Sequence, residues 1–367
     1  LTLEKHSLSE TFFMSITLDL VYSTTKGYAS LLPLYTFMKG QGWQVRLEKV
    51  HRNCFRNRKL LKTISPHIII AYDKPLVRLE KCGWKGEFIY IEHGLSPMKY
   101  YTYKYEFFQR AALLFYPGEV FRRKMEVINP KFERGLLGGY PKVDELVNLE
   151  IDRFELCMKH GLDPDKPIIL FAPSWGGKKN MNAGIHNAKH LSSLENLLIV
   201  PHSADYPFAK KYGAVKPGDG NINQFLHLAD VVISDISSVL AEASILDKPV
   251  VQLILPAYPG CFPEMESRKT GTWVSDDILA REQLTNRSVR PFKIPYVDED
   301  WVMGHTARSD ELEAAIRDAL DNPQKFGEQR KFWAEQSCWK ADGQSCRRIT
   351  QMIEHYLTDG SVKQVID

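Results

Sequence analysis

Short β-branched apolar runs alternate with stretches of helical periodicity along this chain, and the alternation occurs twice. The first series predicts strands over Phe12 to Tyr22, Trp43 to Val50, His67 to Tyr72 (HIIIAY), Glu87 to Ile91 (EFIYI), Leu113 to Tyr116 and Gly135 to Gly138. A helix over Tyr28 to Lys39, closed by Gly40 and Gly42, separates the first two. Runs that are apolar on both faces mark strands buried inside a parallel sheet, and the intervening helices cover it on both sides. A charged helix, Leu149 to His160, then leads into the second series. Strands are expected there at Ile168 to Ala172, Asn196 to Val200, Tyr212 to Lys216, Ala229 to Ile233 and Val250 to Leu255. Helices are expected over Ala183 to Leu194, Ile222 to Leu228 and Val239 to Leu246. Beyond Pro256 the chain is irregular to about Gly304, and helices over Ser309 to Leu320, Pro323 to Glu335 and Gln344 to Leu357 finish it. The pattern predicts two α/β halves joined near residue 150, with a ligand cleft at the carboxyl ends of their strands.

The sharpest local feature is the unit from Ala229 to Leu255. A buried strand ends in Ser234-Asp235-Ile236-Ser237-Ser238, and a helix begins at Val239. A serine-rich turn that opens a helix leaves backbone N–H groups without partners at the sheet edge, which suits an anion such as a phosphate. Ser237 and Ser238 add hydroxyls to those amides. The plainer alternative, that Ser237 is only a helix N-cap, stays open at this level. Glu242, four residues past Ser238, is placed to meet ribose hydroxyls or to cover the polar side of a half-buried helix.

Glu92-His93-Gly94 follows directly on the strand EFIYI. Gly94 permits a turn with positive φ that would hold the His93 imidazole in the cleft, where it suits a general base near neutral pH. A loop histidine satisfied by backbone is the alternative. Pro201-His202-Ser203 holds the equivalent place in the second half, and His202 is suited to donate to a phosphate oxygen. Ser174, in Ala172-Pro173-Ser174-Trp175, sits after the first strand of that half, with Gly176-Gly177-Lys178-Lys179 just beyond it. His51, His67, His160 and His227 have no such setting and are read as structural.

Composition narrows the picture further. The 367 residues are 44% hydrophobic and 25% charged, with a net charge of +3, which is ordinary for a globular protein and too mild to argue for nucleic acid. No apolar run has the length of a membrane span, and the N-terminus lacks the pattern of a signal peptide. The six cysteines show neither a CxxC pair nor zinc spacing, so reduced thiols and a cytoplasmic location are expected. No DxD, HExxH or carboxylate cluster demands a metal, so no metal and no cofactor are expected. Lys99 to Phe108 mixes lysines with aromatics, and Arg46 to Lys62 adds a second basic run. Such composition suits peripheral contact with an anionic membrane through residues 98–108, on the inner face of the cell membrane, or equally a core stack or an acceptor platform.

In their order these motifs resemble the CDP-glycerol glycerophosphotransferase family, the teichoic-acid and capsule polymerases and primases. The matching residues are His93-Gly94, Gly139-Tyr140-Pro141-Lys142-Val143-Asp144, Ala172-Pro173-Ser174-Trp175, His202, Ile233-Ser234-Asp235-Ile236-Ser237-Ser238, Lys248-Pro249 and Asp342-Gly343. The resemblance implies a GT-B fold, two Rossmann-like parallel-sheet domains facing across a cleft. Residues 1–148 would form the acceptor domain and 149–340 the donor nucleotide-binding domain, with 341–367 a helix crossing back to the first. It implies His93 as the base, with Glu92 and Gly94 on the acceptor side. Ser237, Ser238, Ser174, Asp235 and His202 would lie around the donor phosphates, with Glu242 at the ribose. The chain departs from the usual family pattern at Glu92, Gly176, Ser203 and Ile236, which leaves the transferred group open between glycerol phosphate, ribitol phosphate and a sugar. The implied activity is transfer of an alditol phosphate from a CDP-linked donor to a hydroxyl of a polymer or lipid-linked saccharide. A GT-B glycosyltransferase using a CMP- or UDP-linked sugar is the second reading and a sugar 2-epimerase the third. A nucleotide-binding scaffold is the non-enzymatic one.

Overall fold

The computed structural model describes residues 17–95, 103, 106–176, 184–217, 221–235, 237–254 and 302–366. The first half runs β1 (Thr17–Tyr22), α1 (Thr25–Gly40), β2 (Gln44–Lys49), α2 (Cys54–Leu61), β3 (His67–Ile70), α3 (Asp73–Lys81) and β4 (Glu87–Ile91). It continues through α4 (Glu106–Gln109), β5 (Leu113–Tyr116), α5 (Glu119–Ile128), β6 (Gly135–Leu137) and α6 (Pro141–Asn148). The second half runs α7 (Arg153–His160), β7 (Ile169–Phe171), β8 (Leu197–Ile199), α8 (Asn223–Leu228), β9 (Val231–Ser234), α9 (Val239–Ile245), β10 (Val250–Leu253) and β11 (His305–Ala307). Helices α10 (Leu312–Asp321), α11 (Gly327–Ser337) and α12 (Ser345–Asp359) close the chain.

Two sheets result, a six-stranded one in the order β2-β1-β3-β4-β5-β6 and a five-stranded one in the order β11-β10-β9-β7-β8. Every pairing is parallel, as expected for strands joined by helical crossovers. The protein is therefore a GT-B-type arrangement of two parallel-sheet α/β domains. One apolar cluster continues from Ile70 and Tyr90 of the first sheet to Leu170 and Val232 of the second. Separate clusters cover the outer face of each sheet.

The last helix returns to the first sheet. Cys346, Ile349, Met352 and Ile353 of α12 are buried in one cluster with Leu18, Leu20, Ile89 and Phe115. Two of the sequence motifs form the joint that seats it. Asp144 accepts from the first amides of α12, Ser345 N at 2.9 Å and Cys346 N at 2.6 Å. Gly139 has φ +75°, and a Cβ there would stand 2.5 Å from Ser345 Oγ, so both backbone and space require glycine. Asp342 pairs with the buried Arg348 at 2.7 Å. Gly139-Tyr140-Pro141-Lys142-Val143-Asp144 and Asp342-Gly343 thus serve architecture. Lys248 has a similar part, since its Nζ donates to His227 O at 2.9 Å.

Several expectations are corrected. The stretch Tyr212 to Lys216 is not a strand: Gly213, at φ +63°, closes a 3₁₀ helix over Ser203–Tyr212, and Val215 N gives a single bond to Ile199 O at 2.8 Å. The helix expected over Ala183 to Leu194 is a 3₁₀ turn, Gly184–His190. Strand β11 was not anticipated, because three residues carry too little pattern to read. The cysteines are not all reduced, since α2 and α3 pack together and bring Cys54 and Cys82 to a Cα–Cα distance of 5.6 Å, where they form a disulfide. In the run 98–108, the described rings turn inward, as in the core-stack alternative. Tyr103 and Phe108 are buried, and Phe107 stacks on Phe88 at 5.1 Å. Residues 98–102, 104 and 105 of that run, like Gly177, Lys178, Lys179 and Ile236, lie outside the described residues. No helix among the described residues is long and apolar enough to cross a membrane.

Candidate active site

The two parallel sheets present their carboxyl edges to one another, and the candidate residues are drawn from the loops at those edges. On the first sheet, β4 ends at Ile91 and hands on to Glu92, His93 and Gly94. Glu92 is buried, with 5% exposure, and two phenols donate to it: Tyr103 to Oε1 at 2.7 Å and Tyr90 to Oε2 at 3.3 Å. Burial, and then the charge of Glu92, pushes both phenols well up, so they remain protonated donors. His93 Nδ1 lies 3.8 Å from Glu92 Oε2. The Tyr72 ring stacks on the imidazole at a centroid distance of 4.0 Å and 27° between planes. Burial raises the Tyr72 phenol as well, with Glu92 the lesser cause.

Gly94 does not adopt the positive φ expected of it. The lobes approach each other at this residue. A Cβ at Gly94 would stand 3.6 Å from Ser238 Oγ and 3.7 Å from Ser238 Cβ. The turn that carries His93 therefore abuts the turn that opens α9, and the sequence pattern gave no means of measuring that. Beneath the contact, Leu95, Tyr140, Val143, Ala241 and Cys338 form a small apolar cluster between the lobes. Glu242 is buried at the same seam, and its charge adds to the effect of burial in raising the Tyr140 phenol.

On the second sheet, β8, β7 and β9 are neighbours, so His202, Ser174 and Ser237-Ser238 come from three adjacent loops. Two buried aspartates tie these loops together. Asp235 accepts from Ser174 N at 2.8 Å and from Ser174 Oγ at 2.7 Å, joining the loop after β7 to the loop after β9. Asp205, fully buried, accepts from Gly176 N at 2.8 Å and Ile185 N at 3.4 Å, joining the loop after β7 to the one after β8. Gly184, at φ +59°, allows this, because a Cβ there would lie 2.2 Å from Gly176 N and 2.4 Å from Asp205 Oδ2. Sequence reasoning missed Asp205 and Tyr72. Asp205 sits three residues after His202 in a segment to which the sequence pattern assigns no element, and Tyr72 lies at the end of an expected strand.

His202 Nδ1 accepts from Ala204 N at 3.1 Å and caps the 3₁₀ helix. That bond fixes the neutral tautomer with its proton on Nε2, which makes the ring a donor. Ser238 holds the N-cap position of α9 with no side-chain hydrogen bond spent on the cap, while Ser237 Oγ accepts from Val239 N at 3.4 Å. The arrangement offers hydroxyls and an imidazole N–H on one lobe and a second, shielded imidazole on the other. It suits a reaction in which an anionic group is held on the second lobe and a proton is removed from the first.

Residues 119–255 match the family profile described as CDP-glycerol:poly(glycerophosphate) glycerophosphotransferase. No curated protein matches the chain. Among solved structures, the wall teichoic acid polymerase TagF superposes with a TM-score of 0.63 at 18% identity, over 94% of this chain and 89% of that one. A putative UDP-N-acetylglucosamine 2-epimerase from Listeria monocytogenes gives a TM-score of 0.57 at 14% identity, over 96% and 99%. The S. aureus MnaA–UDP co-structure gives 0.58 at 14% identity, over 96% and 99%. At these identities the structural likeness concerns the fold.

Proposed function

We propose that this chain, whose residues 119–255 match the CDP-glycerol:poly(glycerophosphate) glycerophosphotransferase profile, moves an alditol phosphate from a CDP-linked donor to a hydroxyl of a polymeric or lipid-linked saccharide. In this reading His93 takes the proton of the acceptor hydroxyl. The oxygen attacks the donor's β-phosphorus and forms a new P–O bond, while the bond to the bridging oxygen breaks and CMP leaves. Ser237, Ser238 and the Nε2–H of His202 meet the charge that builds on the phosphoryl oxygens. Ser174 and Asp235 hold the loop in place: a carboxylate engaged by Ser174 positions that loop, and its charge is unsuited to touching phosphate itself. Glu242 takes the ribose hydroxyls from the seam.

The observation that supports this reading is the approach of Gly94, the residue after His93, to Ser238 at the start of α9. Thermal shift with CDP-glycerol, CDP-ribitol, CMP-sugars and UDP-sugars tests it, because a bound donor stabilises the folded state by mass action. Stabilisation by a CDP-alditol, followed by CMP release when acceptor is added, is the expected result. Stabilisation by a UDP- or CMP-sugar alone would favour the glycosyltransferase or epimerase reading that the same fold permits.

A further inference from the structure

Resting on the reading of His93 as the base, we infer that Glu92 is its positioning residue, a buried carboxylate that faces the Nδ1 edge of the imidazole and favours its protonated form. Glu92 Oε2 faces His93 Nδ1 at 3.8 Å, the separation of an ion pair, so the attraction is strongest once the ring has gained a proton. The carboxylate is itself held, since Tyr103 and Tyr90 donate to its two oxygens and keep it charged where water is scarce. Tyr72 covers the face of the ring. With one face stacked and the Nδ1 edge turned to a carboxylate at 3.8 Å, the charge of Glu92 favours the proton of the neutral ring on Nδ1. Nε2 is then the atom that receives the acceptor's proton.

The titratable groups around the pair come from several elements: Tyr72 and Asp73 after β3, Tyr90 in β4, Tyr103, Tyr140 before α6 and Glu242 in α9. The phenols are neutral across the working range. The carboxylates favour the imidazolium, and among them Glu92 is the one beside His93.

The test is Glu92→Gln, which keeps the shape of the side chain and an oxygen for the tyrosines. NMR would follow the His93 ring through a pH titration, with its resonances identified by their loss in His93→Gln. The His93 pKa is expected to fall by about one to three pKa units. The acid limb of the kcat profile would move to lower pH with it, at unchanged KM for CDP-glycerol. Tyr103→Phe removes one donor to Glu92 without touching His93, and is expected to shift the titration the same way by less. It carries the test if Glu92→Gln does not fold. An unchanged His93 titration in the folded variants overturns the inference. A shifted titration in a protein that transfers no alditol phosphate upholds the pairing and overturns the proposed function instead.

Discussion

The two sheet edges are built by opposite means. At the first, one imidazole is held by aromatic rings and a buried carboxylate: Tyr72 stacks on His93, and Tyr90 and Tyr103 converge on Glu92. At the second, no single side chain dominates. Three loops are bound to one another through Asp205 and Asp235, and they present backbone and hydroxyls. The difference follows from what each edge has to offer. A proton acceptor is one atom whose basicity matters, so its surroundings are chosen for dielectric and charge. An anion site is a set of weak dipoles whose directions matter, so its surroundings are chosen for rigidity.

This contrast makes graded predictions. The largest effect belongs to His93→Ala, which removes the only group in the first edge assigned to take a proton. A loss of about 10²–10⁴-fold in kcat is expected, with donor affinity and melting temperature near those of the parent. Near-normal turnover would remove His93 from the chemistry. Asp235→Ala should act on binding instead. It strips the amide and hydroxyl of Ser174 of their acceptor, at a cost of about 1–3 kcal/mol, so donor affinity in a calorimeter should fall about tenfold or more. A larger fall in kcat than in affinity would show that the second edge is not the binding side. Replacing Ser237 or Ser238 singly by Ala should weaken donor binding by a smaller step, about 0.5–1.5 kcal/mol for the hydrogen bond lost, and leave the acid limb of the pH profile in place.

The smallest effect concerns the joint that fixes the two edges relative to each other. Hydrogen bonds from Arg348 hold the Asp342 carboxyl below its ordinary value near 3.8, against the opposing effect of burial. A depressed carboxylate contributes stability above its unfolded pKa and loses it as pH falls through the folded one. Melting temperature should therefore fall below about pH 4 in the parent and less steeply in Asp342→Asn. Equal slopes in the two proteins would show that this ion pair does not couple folding to pH.

Much of the second edge was legible along the chain. Ser174, Asp235, Ser237 and Ser238 follow apolar strands, and a turn after a buried strand in a parallel sheet has only one edge to occupy. The first edge was legible at Glu92, His93 and Gly94, and for Gly94 the expected reason was wrong, since its φ is ordinary. The part of the aromatics could not be read, because Tyr72, Tyr90 and Tyr103 look like strand or surface residues until three loops are brought together. The motifs at Gly139 to Asp144 and at Asp342-Gly343 carry part of the family resemblance, and in the structure they are the two sides of one joint.

Periodicity settled most of the strands, their parallel pairing and the existence of two α/β halves, because burial on both faces and helical crossovers leave a local imprint along an element. Contacts between positions far apart in sequence leave no such imprint. The meeting of Gly94 with Ser238, the hold of Asp205 on Gly176 and the Cys54–Cys82 bond follow from how finished elements stack. That stacking was decided by the tertiary structure alone.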